Sequence, residues 1–423
     1  MLKKSNAWLW IPTLYFASGL PYHAITSISD IMYKDMGISN ASIALYTSIL
    51  LIPWTIKPLW SPIVEMMGTR RKWTLASQLL LAVCFAAIAL VIPSGHFLVL
   101  TLAAFLVGAF VSSTHDIALD GFYMLALPQE KQSFFSGIRN TFYRIATVFS
   151  SGVLVMLANR LGNSLGSDTL AWSTTFAITG IIMLVLWFYH TKTMPTAEKD
   201  IPRTTKNIRS VFTNYGEIIK SYFSKPGIWQ ALLFLLLFRF PEAQLAKMGK
   251  LFLMDSSAGG GLALDKGDIG FIYGVVGVIG LIAGGIAGGI CISRKGLKYW
   301  LWPMVAAISL PDAVYIYMSF ALPESLTAIG SCIFIEQLGY GFGFTAYTLY
   351  MIYFAQGKYP TAHFAISTAF MSLGMMLPGM FAGALQEWMG YKNFFIWITA
   401  CTLITFIVSA LIKIDPGFGK KQK

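Results

Sequence analysis

The chain has 423 residues, of which 56% are hydrophobic and 12% are charged, and its mean hydropathy is +0.64. A soluble globular domain carries about twice that share of charged residues, so the composition excludes an ordinary soluble protein. The net charge of +12 does not indicate nucleic-acid binding, because the cations lie in short segments between apolar runs, as in inner-membrane proteins.

The apolar runs reach the ~20 residues that a helix needs to cross the hydrocarbon of a bilayer, and they lack the alternation of barrel strands. In chain order they predict about twelve transmembrane helices. The first six lie near Trp8–Tyr33, Ala41–Val64, Trp73–Pro93, Phe97–Leu127, Ser133–Ala158 and Thr169–Thr191, and the last six near Gly227–Met254, Gly267–Ile292, Tyr299–Leu322, Ser325–Ala355, Phe364–Trp388 and Phe394–Lys413.

This order predicts an all-α membrane protein in which a duplicated unit gives two six-helix bundles, over residues 1–191 and 227–423. A charged cytoplasmic linker over 192–226 joins them. Apolar residues recur at helical spacing within the linker, which favours either an amphipathic helix at the inner membrane surface or a helix that only tethers the halves.

The distribution of lysine and arginine predicts the topology. If the N-terminus is cytoplasmic, 21 of the 31 cations fall in inside segments and four, Lys34, Arg160, Lys266 and Lys392, fall in outside loops. The positive-inside rule then places both termini in the cytoplasm and the chain in the inner membrane. The four cysteines lie in apolar runs without CxxC spacing, so we expect no disulfide, metal site or cofactor.

The fourth predicted span carries His115, Asp116 and Asp120 inside an apolar run. Asp116 and Asp120 are four residues apart and share one face of a helix. An acid near the bilayer midplane costs several kcal/mol unless it meets water, a cation or a proton. The pair therefore predicts either a functional site or acids that only neutralise buried arginines. His115 could relay a proton or could be a hydrogen-bonded packing residue.

Further charged residues lie in other spans. They are Asp30 in the first span, Arg139 and Arg144 in the fifth, Arg239, Glu242, Lys247 and Lys250 in the seventh, Asp312 in the ninth, and Glu336 beside Gln337 in the tenth. If the halves are repeats, spans one and four correspond to seven and ten, a pattern typical of a polar cavity between two bundles.

Two kinds of chemistry follow from these residue types. A carboxyl group in an apolar cavity can exchange protons near neutral pH, so Asp116, Asp120, Glu242 and Glu336 are candidates for proton coupling. Arginine offers a planar fork for carboxylate or phosphate, so the arginines are candidates for binding an anionic substrate. Against this, Arg239 and Glu242 are three residues apart and could satisfy each other, and Asp30 could be solvated at the end of its span.

Two features predict flexibility. Pro241, between Arg239 and Glu242, predicts a local helix break where freed backbone can face a cavity. Pro378 and Gly379 in the eleventh span suggest a gating bend.

The sequence also resembles the AmpG-like muropeptide permeases of the major facilitator superfamily, from the first span into the twelfth. The stretches that carry the resemblance are Ala17-Ser-Gly-Leu-Pro21, Lys57-Pro-Leu-Trp-Ser-Pro62 with Glu65, Arg70-Arg-Lys-Trp73, Asp116-Ile-Ala-Leu-Asp120, Leu127-Pro128, Tyr143-Arg144, Phe334-Ile-Glu336 and Thr361-Ala-His-Phe364.

The resemblance implies the major facilitator fold and proton-driven import of anionic cell-wall fragments, anhydro-muropeptides or related amino sugars, by alternating access. It adds Tyr143 to a substrate-binding set of Asp30, His115, Arg139, Arg144, Arg239 and Gln337. It also implies that Glu65, Arg70 and Arg71 form a loop that closes the inner gate. The chain departs from the family pattern at Tyr123 and Leu125, where members often have a basic and an acidic residue, and at Gln337, where they have asparagine.

The resemblance leaves the substrate open. The chain could import another sugar or an organic anion such as a coenzyme A thioester, or it could be a membrane sensor that binds such a ligand without transporting it. A membrane-embedded enzyme is disfavoured because no nucleophile–base motif stands out. The expected partners of a monomeric transporter are the small anionic substrate, protons and membrane lipid, with no nucleic acid.

Overall fold

The computed structural model describes residues 6–66, 68–127, 129–196, 200 and 208–419. Within these ranges the chain is helical and contains no β-strand. Nine of the described helical segments are long and apolar enough to cross a membrane. The prediction of an all-α, multi-pass membrane protein is therefore confirmed.

The first six spans follow the predicted order. The first runs through Ala7–His23, a π-helical turn at Ala24–Ile28 and Ser29–Asp35; the second through Asn40–Ile49 and Ile52–Met66; the third is Arg70–Val91; the fourth is Phe97–Ala126; the fifth runs through Gln129–Val148, a π-helical turn at Phe149–Leu154 and Val155–Leu165; the sixth is Asp168–Thr193.

A linker helix, Ile208–Phe223, precedes the last six spans. The seventh runs through Ile228–Leu237 and Phe240–Met254; the eighth through Lys266–Phe271, a π-helical turn at Ile272–Gly277 and Val278–Lys295; the ninth through Leu297–Ser309, a 3-10 turn at Leu310–Asp312 and Ala313–Ala321; the tenth is Leu326–Ala355. The last two spans share the continuous segment Pro360–Leu411, which is broken at Gly390, where φ is +72°.

Several spans begin where short polar side chains cap the first turn. Ser39, Thr69, Ser167 and Ser325 each accept a hydrogen bond from the backbone N–H three residues ahead. Such a cap satisfies one of the otherwise unpaired donors of a helix terminus and contributes about 1 kcal/mol. These residues explain why the helices begin next to the connections that the hydropathy pattern predicts.

The described residues form two compact units, Met1–Met36 with Ile56–Phe212 and Gly37–Thr55 with Thr213–Lys423. Residues 37–55, which the sequence assigns to the first bundle, therefore group with the second unit. Polar contacts within that unit explain the grouping: Asn40 Nδ2 donates to Asp255 Oδ2 at 2.8 Å and to Gln386 Oε1 at 2.8 Å, and Lys247 Nζ donates to Thr47 Oγ1 at 2.7 Å.

The end of the linker helix packs on the second unit. Tyr222 is fully buried there, and its hydroxyl lies 3.0 Å from Ser367 Oγ. Lys225 Nζ donates to the carbonyl oxygens of Phe354 and Gln356, at 2.5 and 2.7 Å. An ammonium group at the last carbonyls of a helix is favourable because those carbonyls lack partners within the helix. The linker thus forms hydrogen bonds with the C-terminal end of the tenth span.

Candidate functional sites

In the first unit, Asp116 and Asp120 lie on the face of the fourth span that meets the first span. Ser18 Oγ donates to Asp116 Oδ1 at 2.6 Å, and Tyr15 OH donates to Asp120 Oδ1 at 3.0 Å. Tyr15 and Ser18 are three residues apart on the first span, and Asp116 and Asp120 are four residues apart on the fourth. Residues at these spacings lie on one face of a helix, so the two spans contact each other along these faces. Both acids are partly exposed, and each accepts a hydrogen bond from a hydroxyl group of the first span.

Arg139 joins this group from the fifth span. Its Nη1 donates to Tyr15 OH at 3.2 Å and lies 3.6 Å from Asp120 Oδ1. The guanidinium carbon is 5.2 Å from the ring centroids of both Tyr15 and Tyr123. The side chains of Arg139 and Asp120 remain 32% and 49% exposed, so this ion pair is solvated and contributes little to stability.

Three further candidates of the first unit lie in the first and fifth spans. Tyr143 is half-buried, and its ring lies 5.8 Å from that of His23. Arg144 is half-buried on the same helix, and Asp30 is 1% exposed within the first span.

His115 lies in a buried chain of polar side chains. Its Nε2 is 3.1 Å from Gln78 Nε2, Gln78 Oε1 is 3.0 Å from His190 Nδ1, and His190 Nε2 is 3.0 Å from Thr13 Oγ1. His115, Gln78 and His190 are fully buried. The chain connects the fourth, third, sixth and first spans, which is the arrangement expected of a hydrogen-bonded packing residue. The sequence analysis singled out neither Gln78 nor His190.

Arg70 and Arg71, the candidates for the inner gate, bind the ends of neighbouring helices within the first unit. Arg70 Nη1 donates to Val64 O at 2.7 Å, and Arg71 Nη2 donates to Thr191 O at 2.8 Å. Asp200 accepts from the backbone N–H groups of both arginines, at 2.8 and 3.0 Å. The side chain of Glu65, the third member of this prediction, lies outside the described residues.

In the second unit, the seventh span breaks at Arg239, whose φ and ψ are −100° and 17°, and a new helix begins with Pro241 in its first turn. Proline is favourable there because the first N–H groups of a helix have no intrahelical acceptor. The break predicted at Pro241 is confirmed, displaced by two residues. It leaves Arg239 and Glu242 next to a helix start within a transmembrane span.

Arg239 contacts an acid and two aromatic rings. Its Nη2 lies 4.0 Å from Glu242 Oε1 and donates to Tyr340 OH at 2.5 Å. Its guanidinium carbon is 5.3 Å from the ring centroid of Tyr340 and 4.9 Å from that of Phe344. The side chains of Arg239 and Glu242 are only 10% and 9% exposed. This pair is therefore desolvated, in contrast to Arg139 and Asp120.

Glu242 is also one of three buried acids that face one another. Oxygen atoms of Glu242, Asp312 and Glu336, from the seventh, ninth and tenth spans, lie within 4.8 Å of one another. Gln337 Nε2 donates to both carboxylate oxygens of Glu336, at 3.2 and 2.9 Å. Such a set of oxygen atoms can bind protons or a hard cation. The sequence analysis noted Asp312 but gave it no role.

Pro378 and Gly379, proposed from the sequence as a gating bend, lie inside the helix Pro360–Leu411. A β-carbon added at Gly379 would lie 3.0 Å from Ser48 Oγ and 3.6 Å from Ala243 O. Gly379 therefore allows close packing within the second unit.

Several of the described helices that are long and apolar enough to cross a membrane carry arginines and acids in their interior, as those of polytopic membrane transporters do. The family model described as Major Facilitator Superfamily matches residues 13–363. The chain belongs to this superfamily, a family of transporters rather than of enzymes.

Curated relatives are similar over most of the chain, which confirms the AmpG-like resemblance. A protein described as putative transporter AmpG 4 from Rickettsia conorii is 27% identical over 395 residues, covering 91% of this chain and 91% of the relative. The anhydromuropeptide permease of Escherichia coli K12 is 26% identical over 398 residues, covering 92% of this chain and 76% of the permease.

Solved structures agree on the fold. A D-xylose–proton symporter matches with a TM-score of 0.73 at 11% identity, covering 98% of this chain and 99% of the symporter. The nucleoside transporter NupG matches with a TM-score of 0.70 at 16% identity, covering 97% of this chain and all of NupG. These matches establish the major facilitator fold.

Proposed function

We propose that the chain imports anionic cell-wall fragments, anhydro-muropeptides or related amino sugars, across the inner membrane, driven by protons and by alternating access. The observation that carries the proposal is that each unit holds a guanidinium group against two aromatic rings inside its spans: Arg139 against Tyr15 and Tyr123, and Arg239 against Tyr340 and Phe344. The names of the curated relatives supply the substrate class.

The chemistry of these two groups suits such a cargo. A muropeptide carries carboxylates on its peptide and a sugar with apolar ring faces. A guanidinium group binds a carboxylate through paired hydrogen bonds, and an aromatic ring packs against the apolar face of a sugar. An aromatic partner also orients the guanidinium group by a cation–π contact, so less side-chain entropy is lost when the anion binds.

Protons supply the driving force in this proposal. Asp116 and Asp120 in the first unit and Glu242 and Glu336 in the second are carboxyl groups in the membrane interior. An inward proton moving across about 100 mV contributes ~2.3 kcal/mol. With both termini in the cytoplasm, the basic segments lie on the inner face, and a proton entering with the cargo drives accumulation.

The test is uptake of labelled anhydro-muropeptide into vesicles that contain the full chain, with and without an imposed inward proton gradient. We expect gradient-driven accumulation that collapses with a protonophore. Arg239→Gln should weaken uptake, whereas Arg160→Gln, an exposed arginine in the last part of the fifth span, should not.

The alternatives from the sequence become outcomes of the same assay. If a coenzyme A thioester or a simple sugar competes at lower concentration than the muropeptide, the substrate class is wrong. Binding of the muropeptide without uptake under either gradient would identify a sensor and overturn the transport proposal.

A further inference from the structure

Three buried carboxyl groups of the second unit face one another across three helices. Glu242, Asp312 and Glu336 are 7%, 2% and 3% exposed, and oxygen atoms from all three lie within 4.8 Å of one another. Asp312 entered none of the assignments made from sequence, because its span is otherwise apolar. The structure adds it to two acids already considered for proton coupling.

Electrostatics forbids all three groups from being ionised together. Two unit charges about 4.8 Å apart repel by ~3.5 kcal/mol even at an effective dielectric constant of about 20, and three carboxylates make three such pairs. Burial adds several kcal/mol for each ion that is removed from water. Asp312 faces two other carboxyl groups, those of Glu242 and Glu336.

Within the part of the chain that the structure describes, one of the three acids forms an ion pair. Arg239 Nη2 lies 4.0 Å from Glu242 Oε1. Lys247, which follows on the same helix, donates instead to Thr47. Neutralising three carboxylates with one guanidinium leaves two negative charges in an apolar interior. Two protons bring the cluster to neutrality.

A second observation indicates a missing ligand. Glu242 Oε2 is buried and has no hydrogen-bond partner within the described residues. A buried carboxylate oxygen without a donor costs about 1–3 kcal/mol or more. A proton on a neighbouring carboxyl group supplies such a donor. The hydroxyl groups of Tyr273 and Tyr315, which hydrogen-bond each other, complete the polar surroundings in the field of Glu336 and Glu242.

The backbone is irregular near two of the three acids and at the neighbouring Tyr273. The seventh span breaks at Arg239, Tyr273 lies in the π-helical turn Ile272–Gly277, and Asp312 ends the 3-10 turn Leu310–Asp312. Departures from α-helical geometry inside spans are frequent at functional sites and free backbone groups that a polar site can use. Three consecutive spans depart from regular geometry around one set of acids.

We infer that Glu242, Asp312 and Glu336 form one proton-binding site that holds two protons, with Asp312 as its third member. The site binds its protons as a unit, so the macroscopic titration belongs to the three groups together. The role of this site in coupling rests on the proposed function. Binding of the two protons by the site requires neither substrate nor a gradient.

The test is infrared spectroscopy of the full-length protein in lipid nanodiscs, which reports protonated carboxyl groups by their carbonyl stretch. Wild-type protein should retain a protonated-carboxyl band at pH 7. Asp312→Asn and Glu336→Gln each remove one negative charge, so the bound protons fall from two to one and the band should lose about half its intensity. Asp265→Asn, an exposed acid in the same unit, is the matched control and should leave the band unchanged.

Three results would overturn the inference. They are absence of the band at pH 7 in wild type, a band that is unchanged in both Asp312→Asn and Glu336→Gln, and a band that disappears when sodium replaces choline at constant pH. The last would assign the site to a metal cation. The infrared measurement uses neither substrate nor gradient. A negative uptake assay therefore does not contradict proton binding at this site, and absence of the infrared band does not contradict substrate binding.

Discussion

The two units place their carboxyl groups in different environments. In the first, Asp116 and Asp120 accept hydrogen bonds from Ser18 and Tyr15 and remain partly open to solvent. In the second, Glu242 and Glu336 are buried against another acid. Carboxylates that are crowded together away from water repel one another strongly, whereas the separate, hydrogen-bonded acids of the first unit face no such crowding. The comparison teaches that the number of acids in a span says less about proton binding than the burial of each acid and its distance from the next carboxyl group.

The largest expected effect separates these two groups of acids. Glu336→Gln should lower the gradient-driven accumulation ratio of the substrate about fiftyfold for each proton that is no longer transported with it. This factor corresponds to the free energy of one proton crossing ~100 mV. Asp120→Asn should lose less, because the side chain of Asp120 is 49% exposed and already solvated. The measurement is accumulation of labelled substrate in energised vesicles, with exchange in the absence of a gradient as the control for folding. A greater loss for Asp120→Asn would reverse the assignment.

The second prediction compares the contributions of Arg239 and Arg139 to binding of the acidic cargo. Arg239→Gln should weaken binding of the acidic cargo about tenfold or more, because a charge-assisted hydrogen bond is worth ~1.5–3 kcal/mol in a desolvated site. Arg139→Gln should weaken it less, because Arg139 is more exposed. Competition binding against a neutral analogue of the same cargo measures both. Equal losses for charged and neutral ligands would indicate that the arginines act only in packing.

Close helix packing at a glycine of the second unit gives a third prediction. A β-carbon at Gly284 would overlap the carbonyl oxygen of Leu338 in the tenth span, whereas one at Gly289 would meet no atom within 4 Å. Gly284→Ala should therefore destabilise the protein by about 1–3 kcal/mol, and Gly289→Ala should not. Thermal unfolding in detergent compares the two variants. Similar melting temperatures would mean that the eighth and tenth spans separate easily.

The smallest effect concerns the buried polar chain of the first unit. Thr13→Val removes the hydroxyl that lies 3.0 Å from His190 Nε2 and should lower the free energy of unfolding by about 1 kcal/mol. Uptake should persist, since this polar chain connects helices through buried hydrogen bonds. Loss of uptake in folded Thr13→Val protein would show that His115 and His190 participate in proton transfer.

The hydropathy pattern predicts the spans well, because lipid requires long apolar helices with internally paired backbones. The fourth span, predicted as Phe97–Leu127, is Phe97–Ala126. Side-chain partners are harder to predict. The pairing of Asp116 with Ser18 depends on which faces of two helices meet, and Gln78 and His190 are ordinary polar residues until the third and sixth spans bring them to His115.

Asp312 shows the same limit. A single acid in an otherwise apolar span gives no spacing pattern, and its meaning depends on two acids that lie 70 and 24 positions away in the sequence. Only tertiary packing brings the three carboxyl groups together. A sequence signal existed in the adjacent Pro311, since proline disrupts a helix where a polar group then finds room.

The break at Gly390 has a practical consequence for labelling experiments. The eleventh and twelfth spans are joined through this one residue, whose positive φ favours glycine. The connection is therefore too short to accommodate an inserted epitope or fluorophore without moving the two helices. The segment around Ser257–Gly259, an exposed 3-10 turn, offers a better position. Reporters placed there should preserve the fold, while even a short insertion after Gly390 should prevent the two helices from pairing.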